Sequence, residues 1–199
     1  MSTVKSKKLQ VGTDASASNN FTIYQPATPD GTLRIGVGNA DSPTEVGRFD
    51  SNGYVATNAP AFSAKLGTNQ SFSSSTFTKI QYNTEDFDTN SNYDNATNYR
   101  FTPTVAGYYQ VNASVRFNYT GSAGDNIQIH IYKNNSHWDC QARLNSTGNY
   151  GNISISSLVY CNGSTDYIEI YGYSTHGSSL FDVSANNPSR FSAHLVKAV

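Results

Sequence analysis

The sequence predicts an all-β protein built as an antiparallel β-sandwich. Charged residues make up only 14% of the chain, which also contains 14 Tyr and 10 Phe. A chain poor in charge and rich in aromatic residues favours strands joined by polar turns. Apolar and polar residues alternate in several short runs, and no long stretch has the period of an amphipathic helix. These features indicate sheets with one buried face and one polar face.

The clearest strand is predicted within residues 99–117, which read YRFTPTVAGYYQVNASVRF. Side chains of a strand point alternately to opposite faces of its sheet. One parity is apolar and is predicted to be buried: Tyr109, Val111, Ala113, Val115 and Phe117. The other parity is polar: Gln110, Asn112, Ser114 and Arg116. Gly107 is expected to supply a permissive backbone where the chain enters this strand.

The chain is predicted to contain two parts. Residues 1–58 form an N-terminal arm and a small β module, in which Asp30-Gly31 and Asn52-Gly53 are hairpin dipeptides. This part carries too few apolar residues for a good core of its own, which favours strand exchange between chains. Residues 59–199 form a head domain.

The head domain is predicted to contain short alternating strands separated by turn residues. In chain order they lie at residues 60–67, 109–117, 126–135, 138–144, 152–161, 166–173 and 191–195. Asn134-Asn135 is a turn, His130 points outward, and residues 83–98 form a long loop rich in Asn and Asp. The predicted core consists of Phe101, Tyr109, Val111, Val115, Ile127, Ile129, Ile131, Ile168, Ile170, Phe191 and Leu195.

No metal or cofactor is predicted. The four histidines (His130, His137, His176 and His194) are scattered, without the spacing of a helical or finger-type metal site. The loop at residues 83–98 offers the oxygen ligands that calcium binds, at Glu85, Asp86, Asp88 and Asp94. It lacks an Asp-x-Asp-x-Asp-Gly motif, however, and such clusters are typical of turns, so calcium binding is only an alternative. Cys140 and Cys161 are expected to be reduced, packed thiols, with pairing as the alternative.

Several functional classes are disfavoured. The net charge of −1 gives no electrostatic reason to expect nucleic acid or a membrane surface as a partner. The sequence has no nucleophile elbow, no phosphate-binding loop and no recognisable acid/base pair, so we expect no enzymatic activity. The first ten residues are polar, and no run approaches the ~20 apolar residues of a membrane span. Neither a signal peptide nor membrane insertion is predicted.

Three phrases resemble a known family. Pro60-Ala-Phe-Ser-Ala64, Phe101-Thr-Pro-Thr-Val-Ala-Gly-Tyr-Tyr109 and Arg190-Phe-Ser-Ala-His-Leu-Val196 occur in this order. Together they resemble the globular head of the first complement component (the C-one-q head) and its tumour necrosis factor-like relatives. Those domains are homotrimeric jelly rolls, so the resemblance implies a jelly roll from about residue 60 onward and association of three chains.

A trimer interface is predicted on one face of the sandwich. Leu158 and Tyr160 are predicted to lie on the face of their strand opposite to its core residues. A single sandwich would leave that face exposed, so another chain is expected to cover it. The resemblance implies that this face lines the threefold axis, together with Gln110, Asn112, Ser114 and His194. An axis with this composition would be partly polar and hydrated.

The N-terminal part resembles a different class of proteins. The phrases at residues 9–14, 30–36 and 48–55 are similar to those of bacteriophage fibre and minor virion proteins, in which short β-modules precede a terminal knob. This similarity implies a docking end that joins other virion proteins of the capsid or tail. The anchor residues are predicted to be Lys5, Lys7, Lys8, Leu9, Phe21 and Ile23.

The function predicted from these resemblances is a phage virion structural protein. It would be a trimeric surface spike, capsid decoration protein or head fibre, made in the host cytoplasm and carried on the virion surface. The first alternative is a tail fibre or receptor-binding knob for a host glycan or protein. A secreted complement-like binding module is a lesser alternative. The residues predicted to lie in receptor-contact loops are Tyr119, Trp138, Tyr150 and His176. They are chosen because exposed aromatic rings are common at protein-binding and ligand-binding surfaces.

Overall fold

The protein is built from strands and divides into two compact units, Met1–Asn58 and Ala59–Val199. The computed structural model describes residues 8–12, 14–16, 19–39, 41–51, 53–56, 59–119, 126–144, 150–176, 179–183 and 189–199. These residues include 18 strands and no α-helix. A helix that is long and apolar enough to cross a membrane is accordingly not found in them.

The first unit is a five-stranded antiparallel meander in which each strand pairs with the next. Its strands are β1 (Lys8–Val11), β2 (Phe21–Tyr24), β3 (Leu33–Val37), β4 (Thr44–Asp50) and β5 (Gly53–Ala56). The predicted turn at Asp30-Gly31 is present. The Asp30 carboxylate accepts hydrogen bonds from Thr32, and Gly31 has a φ of 81° that favours glycine.

Most apolar residues of β1 to β4 lie on one face of this meander, whereas Tyr24 pairs with Arg34 on the other face. Facing pairs in the register include Leu9 with Ile23, Val11 with Phe21, and Leu33 with Phe49. Leu9 is 59% exposed and Phe21 50% exposed. Among the described side chains of this unit, none of the apolar ones is buried, whereas Asn20 and Thr22 are. The described residues of the first unit therefore present an apolar surface and do not form an apolar core.

The second unit is a sandwich of two antiparallel sheets. The β13 sheet has the order β10-β11-β16-β13-β14, and β8 pairs with β16. Its strands are β8 (Thr78–Lys79), β10 (Tyr93–Asp94), β11 (Arg100–Phe101), β13 (Asn126–Lys133), β14 (Ser136–Leu144) and β16 (Ile168–Ser174). The predicted turn at Asn134-Asn135 joins β13 to β14, and both residues have a φ above 50°. Asn tolerates this left-handed conformation better than most residues.

The β12 sheet forms the other layer. Its central strand β12 pairs with β15 along one side and with β18 and β17 along the other. The strands are β6 (Ala61–Lys65), β7 (Gln70–Phe72), β9 (Thr84–Asp88), β12 (Ala106–Tyr119), β15 (Tyr150–Asn162), β17 (Ser179–Phe181) and β18 (Arg190–Ala198). Gly107 is required for a different reason from the predicted one. A Cβ there would collide with the carbonyl oxygen of Lys197 on β18, so the strands approach closely at this point.

The core lies between the two sheets and confirms the alternation read from the sequence. Ten of the eleven predicted core side chains are buried, and Leu195 is partly buried against them. Phe62 lies at the centre of an aromatic cluster that the sequence did not indicate. Its ring centroid lies 4.5 Å from Tyr93, 4.6 Å from Phe101 and 4.8 Å from Phe191.

The segment rich in Asn and Asp is more regular than predicted, because it contains β9 and β10. Its carboxylates bind neighbouring protein groups. Asp94 accepts hydrogen bonds from the backbone amides of Thr97, Ala96 and Asn98, and these lower its pKa to about 2. Asp88 accepts from the amides of Asn90 and Tyr93, and Asp86 pairs with Lys65 and Arg190. These contacts are those of turns and ion pairs.

Candidate functional site

The six predicted interface residues share one face of the β12 sheet. Gln110 on β12 lies directly opposite Leu158 on β15 and opposite His194 on β18. The neighbouring rows of the register add Asn112, Ser114 and Tyr160 to the same side. Because Tyr109 and Val159, on the other parity, are in the core, this side is turned away from it. We call it the outer face.

The apolar part of the outer face is exposed in a single chain. Leu158 is 50% exposed and Tyr160 is 38% exposed, next to Tyr108 at 41%. The rings of Tyr108 and Tyr160 contact each other, with centroids 5.5 Å apart. Among the described strands, β15 pairs with β12 alone, so its other edge is open along 13 residues. Proteins seldom leave a long strand edge beside exposed apolar residues without a cover.

The middle of the outer face is polar and internally hydrogen bonded. Gln110 Nε2 donates to Ser156 Oγ at 2.9 Å, and Ser156 Oγ donates to Asn112 Oδ1 at 2.9 Å. A shallow groove runs beside this network and is lined by Asn112, Ala113, Ser114, Ser154, Ile155, Ser156, Arg190 and Ser192. Most of these side chains are short hydroxyls or amides, which suits a hydrated contact.

Solved structures of other proteins have the same fold as the second unit. The globular domain of the zebrafish complement 1qA protein matches with a TM-score of 0.50 and 18% identity, over 70% of this chain and 98% of that one. Murine APRIL matches with a TM-score of 0.52 and 8% identity, over 69% and 99%. The PRD1 vertex protein P5 matches with a TM-score of 0.50 and 17% identity, over 71% and 98%.

These similarities confirm the predicted jelly roll. No protein-family model matches the sequence, and no curated protein matches it. At identities this low the likeness concerns the fold alone. The second unit thus has the jelly-roll fold of these structures, and its function has to be argued from its own surfaces.

The candidate receptor-contact residues occupy two ends of the jelly roll. Tyr150 begins β15 opposite Asn118 of β12, and its ring lies 3.9 Å from the Arg116 guanidinium. His176 follows β16 at the same end. The amide of the preceding residue, Thr175, donates to the carbonyl of Asn126, which begins β13 shortly after β12 ends. The Tyr119 side chain lies outside the described residues.

Trp138 lies at the opposite end, where Lys133 Nζ is 5.8 Å from its ring and 5.4 Å from the Tyr160 ring. Trp138 lies in β14, in agreement with the strand predicted at residues 138–144, whereas Tyr150 begins β15 and is not in a loop. Tyr150 shares the parity of Leu158 and Tyr160 and so stands on the outer face.

The candidate anchor residues fall on both sides of the first unit. Leu9, Phe21 and Ile23 belong to its apolar face, and Lys8 projects from the other side of β1. Lys5 and Lys7 lie outside the described residues. The apolar members of the predicted anchor are therefore adjacent in the folded meander, with Leu9 and Phe21 exposed and Ile23 partly exposed.

Two histidines that looked scattered in the sequence meet in the β13–β14 hairpin. The ring centroids of His130 and His137 are 5.2 Å apart, and Cys140 lies directly opposite His130. The predictions that His130 points to solvent and that Cys140 is packed are both wrong. His130 is buried because Phe77 lies across its ring at 4.8 Å, and Cys140 is exposed on an edge strand. Cys161 is free and buried, as predicted.

A β-bulge explains why sequence spacing did not reveal this cluster. The Asn134-Asn135 turn alone would place His130 opposite Asp139, but the register shifts so that Ile131 faces Asp139 while Tyr132 faces His137. Trp138 is the extra, unpaired residue of this bulge. As a result, His137 and Cys140 lie on the same face of β14. The sequence feature that could have indicated the cluster is the Asn134-Asn135 turn, because it folds residues 130 and 140 towards each other.

Proposed function

We propose that the chain is a homotrimeric virion structural protein, a short surface spike or decoration protein of a phage. The first unit docks on the particle, and the jelly roll projects outward as a knob. Its work is binding and mechanical support, without a reaction. The observation that carries this proposal is the outer face, where an open strand edge and exposed Leu158 and Tyr160 require a cover.

A second copy of the chain is the cover that we propose for the outer face. Three copies around an axis would bury Leu158 and Tyr160 and leave the Gln110–Ser156–Asn112 network hydrated. This arrangement agrees with the trimeric assembly implied by the sequence resemblance to the complement head. The PRD1 vertex protein P5 shares the fold, which supports the use of such a knob on a virion.

The apolar face of the first unit is the docking surface in this proposal. Its described apolar side chains remain uncovered, and several are about half exposed, which is costly in water. A partner from the capsid or tail that covers Leu9, Phe21 and Phe49 would bury this area.

Removal of the first unit is expected to abolish incorporation into particles. In this experiment the coding sequence in the genome is replaced by one for a chain that starts at Ala59. The truncated chain should still form a folded trimer but should be missing from purified particles. Immunoblotting of the particles and sedimentation of the purified fragment measure the two properties. A truncated chain that is incorporated normally would place the anchor in the jelly roll and contradict this part of the proposal.

Neighbouring residues of β1 provide a matched point-variant pair. Leu9→Asp places a charge on the apolar face, whereas Gln10→Asp places it on the opposite face of the same strand. We expect Leu9→Asp to reduce incorporation at least about tenfold, the effect of a docking loss of about 1.4 kcal/mol. Gln10→Asp should be incorporated normally, and equal loss in both variants would argue against docking through the apolar face.

A receptor-binding knob is the second candidate. Exposed Tyr150 and nearby His176 lie at one end of the jelly roll. The chain enters at the other end, where the Pro60 carbonyl accepts a hydrogen bond from the amide of Leu195, which lies opposite Tyr109 of β12. Along the strand these ends are about 30 Å apart. Adsorption of the purified protein to host cells, lost in a Tyr150→Ala variant that sediments like the wild type, would favour this candidate over a purely structural spike.

A further inference from the structure

The β13–β14 hairpin brings three metal-ligand side chains to one place. His130, His137 and Cys140 each offer one ligand atom that lies within 4.8 Å of the other two. In the part of the chain that the structure describes, this is the one group of three such side chains. The cross-strand pairing of His130 with Cys140 and the bulge at Trp138 hold the group together.

The burial and hydrogen bonding of the His130 ring suit a metal ligand. It is 4% exposed, and its Nε2–H donates to Gln128 Oε1 at 2.7 Å. This bond fixes the tautomer, so the Nδ1 lone pair is left for another partner. Nδ1 is nevertheless buried without a hydrogen-bond partner. An unsatisfied buried polar atom is costly, and a bound cation would satisfy it.

We infer that His130, His137 and Cys140 form a binding site for a zinc-type divalent cation. Two imidazoles and one thiolate are ligands that zinc prefers, and a water molecule would complete a tetrahedral shell. Zinc bonds of about 2.0–2.3 Å require ligand atoms about 3.3–3.7 Å apart. His137 and Cys140 are exposed and free to rotate by this small amount, while His130 stays fixed between Phe77 and Gln128.

The bound cation would tie an edge strand to its neighbour. β14 is the last strand of the β13 sheet and pairs with β13 alone among the described strands. A cation held from both strands would stabilise the hairpin in proportion to its affinity and concentration. This site lies outside the proposed docking surface and is independent of the proposed virion function.

Metal titration of the full-length chain tests the site. The protein is stripped with chelator, kept under a thiol-free reductant, and titrated with zinc by calorimetry and with cobalt by absorption. We expect one metal ion per chain, and a sulfur-to-cobalt charge-transfer band that shows thiolate ligation. His137→Gln and Cys140→Ser should each weaken zinc binding by more than about 100-fold, because losing a ligand costs more than losing an outer-shell partner.

The control is His176→Gln, which changes a histidine outside the cluster and should bind zinc like the wild type. Trp138 fluorescence checks that the variants are folded, and both substituted ligands are exposed. Zinc binding that is equally strong in the wild type and in Cys140→Ser would overturn the proposal. So would a cobalt complex without the sulfur band, or a loss of affinity in His176→Gln.

Discussion

Leu158→Asp is expected to convert the trimer into single chains at neutral pH. Leu158 is half exposed on the outer face of one chain and would approach its two symmetry mates at the proposed axis. Three carboxylates about 6 Å apart in a partly desolvated contact repel by on the order of 2–3 kcal/mol per pair. Analytical ultracentrifugation at several protein concentrations measures the change. Protonation at acidic pH removes the charge, so association should recover in part below the carboxylate pKa.

The matched control is Asn135→Asp, which adds the same charge in the exposed hairpin turn. Its neighbour Asn134 is unsuitable, since its side chain donates to Asp166 and accepts from the Tyr167 amide. Asn135→Asp should remain trimeric. A Leu158→Asp protein that sediments like the wild type at neutral pH would show that the outer face is not the interface.

Phe62→Ala is expected to destabilise the jelly roll by about 3–5 kcal/mol. The Phe62 ring is buried among three aromatic rings, so truncation leaves a cavity that rigid neighbours fill poorly. Trp138 is the single tryptophan and lies in the second unit, so its fluorescence during urea denaturation reports on this unit. Protein concentration must be equal in all samples, because association contributes to stability.

Phe87→Ala is the control for this substitution. Phe87 lies on β9, the strand next to that of Phe62, and is 51% exposed. Its truncation should change the free energy of unfolding by less than about 1 kcal/mol. If both variants lose the same stability, the aromatic cluster is not the centre of the core.

Alternation along single strands could be predicted from the sequence because it depends on local geometry. Tyr109 and Val111 point into the core and Gln110 points outward, as the period of two requires. The same reasoning placed Leu158 on the outer face. The Asn134-Asn135 turn was also predictable, since Asn is suited to a positive φ.

Features that depend on contacts between distant segments were not predictable in this way. His130 has the outward parity but is buried, because Phe77 from a different part of the chain covers it. Glu169, on the outward parity of β16, is buried in an ion pair with Lys79 of β8. The bulge at Trp138 shifts the register by one residue and so assembles His137 with Cys140. No spacing rule along the sequence marks such a shift.

The mass of the intact chain in solution tests the central claim most directly. Sedimentation equilibrium of the full-length protein at neutral pH should give three times the chain mass of 21.6 kDa, with no free chains at micromolar concentration. This result is predicted because the outer face, with Leu158 and Tyr160, is uncovered in one chain. A mass of 21.6 kDa that does not change with concentration would contradict the trimeric spike.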